Sequence, residues 1–423
     1  MNYIKKDLAS YNLHLIKTKK FKTISVKVVF HTPIKKEEIT SRNVLTDILL
    51  QSSKKYKSRR ELTIKSEDLY AVDLSTSNRR LGNYIFTSFL LQSLNDEYTE
   101  KGNFEASLEF LSEIIFNPDI TNKRFNEEKL SIVKNNTAVA LNSIKEDAAG
   151  YSLIRMTEAY DKDSPISYRM LGYESDLENI TTENLYNTYK KMINNDLVDI
   201  FVVGDFETKE MTELIKKYFK FKMLKKKKED YLLPAKKVRK RRLIAKETIE
   251  NSQSKLAIAC SLNKLTDYER NYALLLANII FGGGTDSKLF KEVREENSLC
   301  YTIRSSYNKL DNLLIITAGI DKKNFDKATQ LITKCLNDMK KGKFTKKDID
   351  TAKEFYKTSA EEVEEREERI INEYLLREIL KTEDLKERIE KISKVTKQQI
   401  TKACKKINMD TIFLLEGVKD ENN

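Results

Sequence analysis

The chain repeats itself, and the repeat limits its fold more than any other feature. Ile180 to Phe206 reads ITTENLYNTYKKMINNDLVDIFVVGDF, and Val395 to Val418 reads VTKQQITKACKKINMDTIFLLEGV. Each opens with Thr at a helix start, continues as an amphipathic helix, turns at Asn or Asp, and closes with an apolar strand ending near Gly204 or Gly417. The starts Thr181-Thr182-Glu183-Asn184 and Thr396-Lys397-Gln398-Gln399 are compatible with helix capping. A second pair agrees: Phe104 to Leu130 and Phe325 to Lys353 each give an apolar-periodic helix, a turn, and a second helix opening after Phe125 or Phe344. Thr23 to Thr32 and Leu313 to Asp321 carry the β-branched alternation of strands. The chain is therefore two copies of an α+β unit of about 200 residues each.

Charge marks the join between the copies. The net charge is +12, and the segment from Lys222 to Lys246 holds twelve basic residues against two acidic ones, so little charge remains elsewhere. Lys225 to Lys228 and Arg239 to Arg242 flank Leu232-Leu233-Pro234 without the interleaved aromatics of a nucleic-acid surface. The pattern reads as a solvated connector, giving an N-terminal half 1–221, a basic connector 222–247 and a C-terminal half 248–423, with no nucleic-acid partner. No run approaches the roughly 18 apolar residues that span a bilayer, and the N-terminal MNYIKKDLASYNLHLIK has no apolar core of a secretory signal. Cys260, Cys300, Cys335 and Cys404 lack C-x-x-C spacing and read as free thiols of a reducing cytoplasm. Abundant Lys, Asn and Ile suggest an AT-rich bacterial genome.

The second half contains FGGGTDSKLFKEVREENSLCYTIRSSY, Phe281 to Tyr307. A helix from about Thr266 should end at Gly282-Gly283-Gly284, where positive φ costs nothing. A short helix from Asp286 and a strand from Leu299 should follow, with Arg294 late in the helix and Tyr301 early in the strand. The glycines do not form G-x-G-x-x-G and no Gly-Lys-Ser/Thr follows, so no phosphate cradle is expected. The segment resembles the signature of the insulinase-like (pitrilysin, mitochondrial processing peptidase) zinc peptidase family. It matches in Gly282 to Gly284, Ser287, Leu289, Phe290, Arg294, Glu295, Leu299 and Tyr301. It departs in Asn297-Ser298, where many members place a glycine before the Leu. The resemblance implies two homologous halves, each a mainly antiparallel sheet flanked by helices. It also makes Arg294 and Tyr301 the pair that holds substrate backbone and a tetrahedral intermediate, with Gly282, Gly283 and Gly284 beside the substrate.

The same family carries H-x-x-E-H on its first long helix, two zinc ligands and a glutamate that polarises water, with a third ligand from a later helix. Here the aligned positions are Asn43, Thr46 and Asp47, and Lys134-Asn135 fall where the third ligand belongs. Asn and Thr are poor zinc ligands, Thr is no general base, and a lysine repels the metal. The chain has two histidines, His14 and His31, and neither has a His or Glu at the required spacing, so no metal and no cofactor are expected. Both histidines read as turn or edge residues of the first strands, and Glu361 to Arg369 (EEVEEREER) as an exposed helix face. Family active sites form between facing halves, and several members split the roles between chains. The resemblance therefore implies a catalytically degenerate, cytoplasmic subunit that handles peptides with a zinc-bearing paralogue as its heterodimer partner, or else self-associates. The competing expectation is a non-proteolytic structural or binding protein of this fold, as in the core subunits of a mitochondrial respiratory complex. Elongation factor P modification and bacteriocin maturation are associations of such zinc-lacking members for which the residues supply no physical basis.

Overall fold

The computed structural model describes residues 1–223 and 229–418, so the Lys225 to Lys228 run lies outside the described residues. The first half contributes β1 (Asn2–Asp7), β2 (Asn12–Lys17), β3 (Thr23–Pro33), β4 (Asp73–Leu81), β5 (Tyr84–Leu94), a short hairpin of β6 (Ile120–Thr121) and β7 (Arg124–Phe125), and β8 (Leu197–Gly204). Six of these form a sheet of order β1-β2-β8-β3-β5-β4, antiparallel except for β2 beside β8. The second half contributes β9 (Leu243–Ile249), β10 (Ser254–Leu262), β11 (Cys300–Asn308), β12 (Leu313–Ile320) and β13 (Ile407–Gly417). They form a sheet of order β11-β12-β10-β13-β9, antiparallel except for β13 beside β9.

The repeated helix-strand segments occupy equivalent places. Helix Thr182–Asn195 leads into β8 and helix Lys397–Cys404 into β13. Both open with a full capping box: Thr181 and Asn184 exchange bonds of 3.2 and 2.8 Å, Thr396 and Gln399 bonds of 3.3 and 2.8 Å. Each satisfies two otherwise orphaned N–H groups, and losing such a cap typically costs about 1 kcal/mol.

Strand periodicity gives each sheet two buried faces. On β3, Val26, Val28 and Phe30 enter a core with Val44, Leu45, Leu108, Leu111 and Leu185 from the helices that follow. On β10, Leu256, Ile258 and Cys260 do the same with Leu276, Ile280 and Ile332. Each such apolar side chain removed from water contributes roughly 1.5–3 kcal/mol. The opposite faces are covered by segments that cross over in sequence. One compact unit comprises 1–142, 169–230 and 363–379, and the other 143–168, 231–362 and residues from 380 onward. In the first unit Thr23 and Ser25 donate to Glu367 at 2.9 and 2.8 Å, and Lys27 to Asn372 at 3.2 Å. In the second, Ala148, Tyr151 and Met156 pack on Ala257, Ala259 and Phe413.

Two expectations change here. The acidic run is not wholly solvated, because Glu367 is buried and accepts from the hydroxyls of β3. The basic segment after residue 230 is not a free connector either. Tyr231 and Leu233 are buried, Arg239 Nε donates to the buried Asp410 at 3.0 Å, and β9 begins at Leu243 inside the expected connector. A buried carboxylate needs a cation, and the segment supplies one.

Candidate functional site

In the first unit, the positions aligned with the zinc motif lie on helix Ile39–Leu49. They have become a neutral hydrogen-bonded network. Asn43 Nδ2 donates to the Met170 carbonyl at 2.7 Å, and Thr46 Oγ1 to the Asn43 carbonyl at 2.9 Å. Asn78 of β4 donates to both Asn43 Oδ1 and Thr46 Oγ1 at 3.0 Å, and accepts from Thr87 of β5 at 2.6 Å. Arg42 anchors the end of the network through Asp196, with nitrogen–oxygen distances of 2.7 and 3.2 Å and both side chains buried. Burial pushes the Asp196 carboxyl up, and Arg42 opposes that shift. The remaining acid, Asp47, is exposed.

The later helix, Glu127–Asn142, adds no ligand. Asn135 is exposed, and Lys134 Nζ donates to the Ile180 carbonyl at 3.1 Å. Among the described residues no group of three or more His, Cys, Asp or Glu is arranged to hold a metal ion. The Asn43 and Thr46 side chains are engaged by neutral partners, and Asn and Thr are poor donors for zinc.

The two histidines occupy neither turns nor edges. Both are buried in the first sheet and share one carboxylate: His14 Nε2 lies 2.9 Å from Asp199 Oδ1, and His31 Nε2 lies 2.7 Å from Asp199 Oδ2. Asn12 Nδ2 donates to the same carboxylate at 2.9 Å. His14 stacks on Phe201 and His31 on Phe86. Burial alone would raise the Asp199 carboxyl, but its bonds to the two imidazoles hold it well below the usual carboxylate range. The other ring nitrogen of His14, Nδ1, is bonded to the Tyr3 phenol at 2.9 Å, and both imidazoles are buried within the sheet, so the cluster reads as structural. Sequence reading missed it because its members lie far apart in the chain.

In the second unit, Gly282 ends helix Leu274–Gly282, and a π-helical turn, Phe290–Glu295, follows. The glycines do not use positive φ. They serve close packing instead: a Cβ on Gly282 would lie 2.8 Å from Ser305 N, and one on Gly283 2.7 Å from Ile279 Cα. A Cβ on Gly284 would meet only Phe355 Cε2, at 3.9 Å, among the described residues, and the glycine borders a cavity of about 170 Å³ shared with Ile279, Asp286, Lys291 and Phe355. Ser298 adopts φ 51°, the left-handed conformation that the glycine of related sequences would take freely. The turn geometry thus survives the departure from the motif.

Arg294 is half-buried, and among the described residues it makes no ion pair and no side-chain hydrogen bond. Its guanidinium lies 4.6 Å from the Phe290 ring centre and 5.7 Å from that of Tyr301. Pairing of β11 with β12 skips Tyr301, since Cys300 faces Ile320 and Thr302 faces Gly319. The bulge turns the tyrosine outward, leaving it 73% exposed. The structure therefore brings Arg294 and Tyr301 together, with a guanidinium that has no anionic partner among the described residues beside an exposed phenol.

A profile of the family described as "Peptidase M16 inactive domain" matches residues 179–356. The chain is 28% identical, over 99% of both sequences, to the "Probable inactive metalloprotease YmfF" of Bacillus subtilis (strain 168). The crystal structure of a conserved protein from Enterococcus faecalis V583 superposes with a TM-score of 0.91, at 28% identity and over 100% of both chains. A chain of complex III2 from Candida albicans has the same fold, with a TM-score of 0.72 at 18% identity over 99% of this chain and 98% of that one.

Proposed function

We propose a role that starts from kinship: this chain is an inactive homologue of the insulinase-like, M16 peptidases, and it acts as a complementing subunit that binds and processes peptides together with a zinc-bearing paralogue. The observation that carries the reading is an asymmetry between the two units. Asn43, Thr46 and Asn78 satisfy one another where a metal would sit, whereas Arg294 has no anionic partner and Tyr301 faces solvent. Arg294 is half-buried over the Phe290 and Tyr301 rings with no anion beside it among the described residues, which leaves its hydrogen-bonding fork available to a ligand. In the paired site Arg294 holds the developing oxyanion through its permanently charged planar fork. Tyr301 donates its phenol to the same charge. The metal, its ligands and the water-polarising glutamate come from the partner, and Gly284 leaves room for substrate backbone. Four free, buried cysteines suit a reducing cytoplasm, and among the described residues no helix is long and apolar enough to cross a membrane.

The second reading is a non-proteolytic structural subunit, favoured by the fold shared with a complex III2 chain. Co-expression with a zinc-bearing paralogue, followed by a peptide-cleavage assay, separates the two. The complementing role predicts a stable pair whose kcat/KM falls at least tenfold, about 1.4 kcal/mol, in Arg294→Ala and in Tyr301→Phe. Unchanged cleavage in both variants, or no pair at all, leaves the structural reading standing.

A further inference from the structure

We propose that the second unit selects acidic peptides: Lys255 and Arg304 receive the carboxylate of a Glu or Asp side chain from a strand laid along the edge of β11. This rests on the peptide-binding reading above and adds a substrate class to it.

A cavity of about 270 Å³ opens over β10, β11 and β12. Register places its polar groups in two adjacent rows on one sheet face. Thr302 and Lys255 both face Gly319, and Arg304 faces Thr317. Ser152 and Leu153 of helix Ala148–Tyr160 form the wall. The cavity is lined by two cations and three hydroxyl side chains, and by no acid. Arg304 is exposed, and among the described residues it has no ion pair or side-chain hydrogen bond. Among the described residues, Lys255 Nζ donates only to the Gln253 side-chain oxygen, at 2.6 Å. Ser152 is already bonded to the Ala149 carbonyl, so Thr302 and Thr317 remain as neutral donors beside the two cations. A carboxylate, an acceptor-only anion, complements the two cations, and the apolar wall accommodates the methylenes that carry it.

Position argues for a peptide as the bearer of that carboxylate. β11 is the outer strand of its sheet, and among the described residues no strand pairs with its outward edge, the edge to which a peptide strand can add. Tyr301, the proposed substrate contact, immediately precedes Thr302 on the same strand. Side chains of an added strand alternate between faces, so every second one passes over the cavity. Acidic residues at alternate positions would then be held while Arg294 and Tyr301 engage the neighbouring backbone.

The test is fluorescence polarisation with the full chain and a labelled heptapeptide carrying Glu at two alternate positions, compared with its Gln twin. The Glu peptide should bind about tenfold more tightly. K255A and R304A should each bring the affinities of the Glu and Gln peptides to within about twofold of one another. The double reversal K255E/R304E should prefer a Lys twin, which keeps the test meaningful if an alanine variant folds poorly. Equal binding of the Glu and Gln peptides overturns the acidic pocket and leaves peptide binding intact. Failure of both peptides to bind overturns the pocket and the peptide reading together. If free glutarate binds as tightly as the Glu peptide, the cavity is a small-anion site and the strand-docking argument falls.

Discussion

Replacing Lys27 with methionine should stabilise the protein at neutral pH, although it deletes a charged group with two polar neighbours. Lys27 sits in the middle of β3, 4% exposed. It faces a cavity of about 120 Å³ lined by Val29, Phe86, Leu375 and Leu376. Burial lowers its ammonium from 10.5 to about 8, with Arg79 adding to the shift and Glu368 opposing it. At about 1.4 kcal/mol per pH unit, holding this ammonium charged in the folded state costs roughly 3 kcal/mol. Deleting the bond to Asn372 forfeits about 1 kcal/mol of that gain. Glu368 keeps Arg79 at 3.0 Å, so it is not stranded. The expected gain for Lys27→Met at pH 7 is therefore about 2 kcal/mol. Between pH 8 and 10.5 the unfolded chain binds the proton that the folded chain has released, so wild-type stability rises with pH through that window. The advantage of the methionine variant should shrink over the same range. Urea melts followed by far-UV circular dichroism at pH 7 and pH 10 measure both, since the chain has no Trp to report unfolding. A variant that is less stable at pH 7, or a difference that does not depend on pH, would show that Lys27 is held by attraction to Glu368 rather than tolerated against burial.

Two other substitutions probe the polar centres. Asp199→Asn should cost about 3–5 kcal/mol at pH 7, because it removes a buried carboxylate from two imidazoles and an amide. Since the folded carboxyl is held below its usual range, its contribution is present above about pH 4 and is lost as pH falls further. The gap between wild type and variant in acid titrations should narrow there. Ser298→Gly should raise stability by about 1 kcal/mol by relieving a left-handed residue, read as a higher midpoint in thermal melts; a loss of stability would mean that the serine side chain contributes something its φ does not reveal.

The sequence made local structure legible and hid most long-range pairing. The helix that leads into β8 and the one that leads into β13, together with their caps, are visible because a capping box and a 3.6-residue period are local signals. The Arg294 and Tyr301 pairing follows from the family motif, but the bulge that exposes Tyr301 has no sequence mark. Amphipathicity shows that the helices after Glu367 and after Ala148 bury one face. It cannot show that each covers a sheet built mostly from the other half of the sequence. Glu367 reads as solvated because its neighbours are charged, and its true partners are hydroxyls of Thr23 and Ser25. Asp199 likewise reads as a polar interruption in an apolar strand until the two histidines are placed against it.

Zinc content of the purified chain tests the central claim most directly. After incubation with excess zinc and gel filtration, metal analysis should find far less than one equivalent per chain, unchanged in Asp47→Ala. In the co-purified pair, all of the zinc should belong to the paralogue. One tightly held equivalent on the isolated chain, lost in Asp47→Ala or Asn43→Ala, would contradict the account at its root.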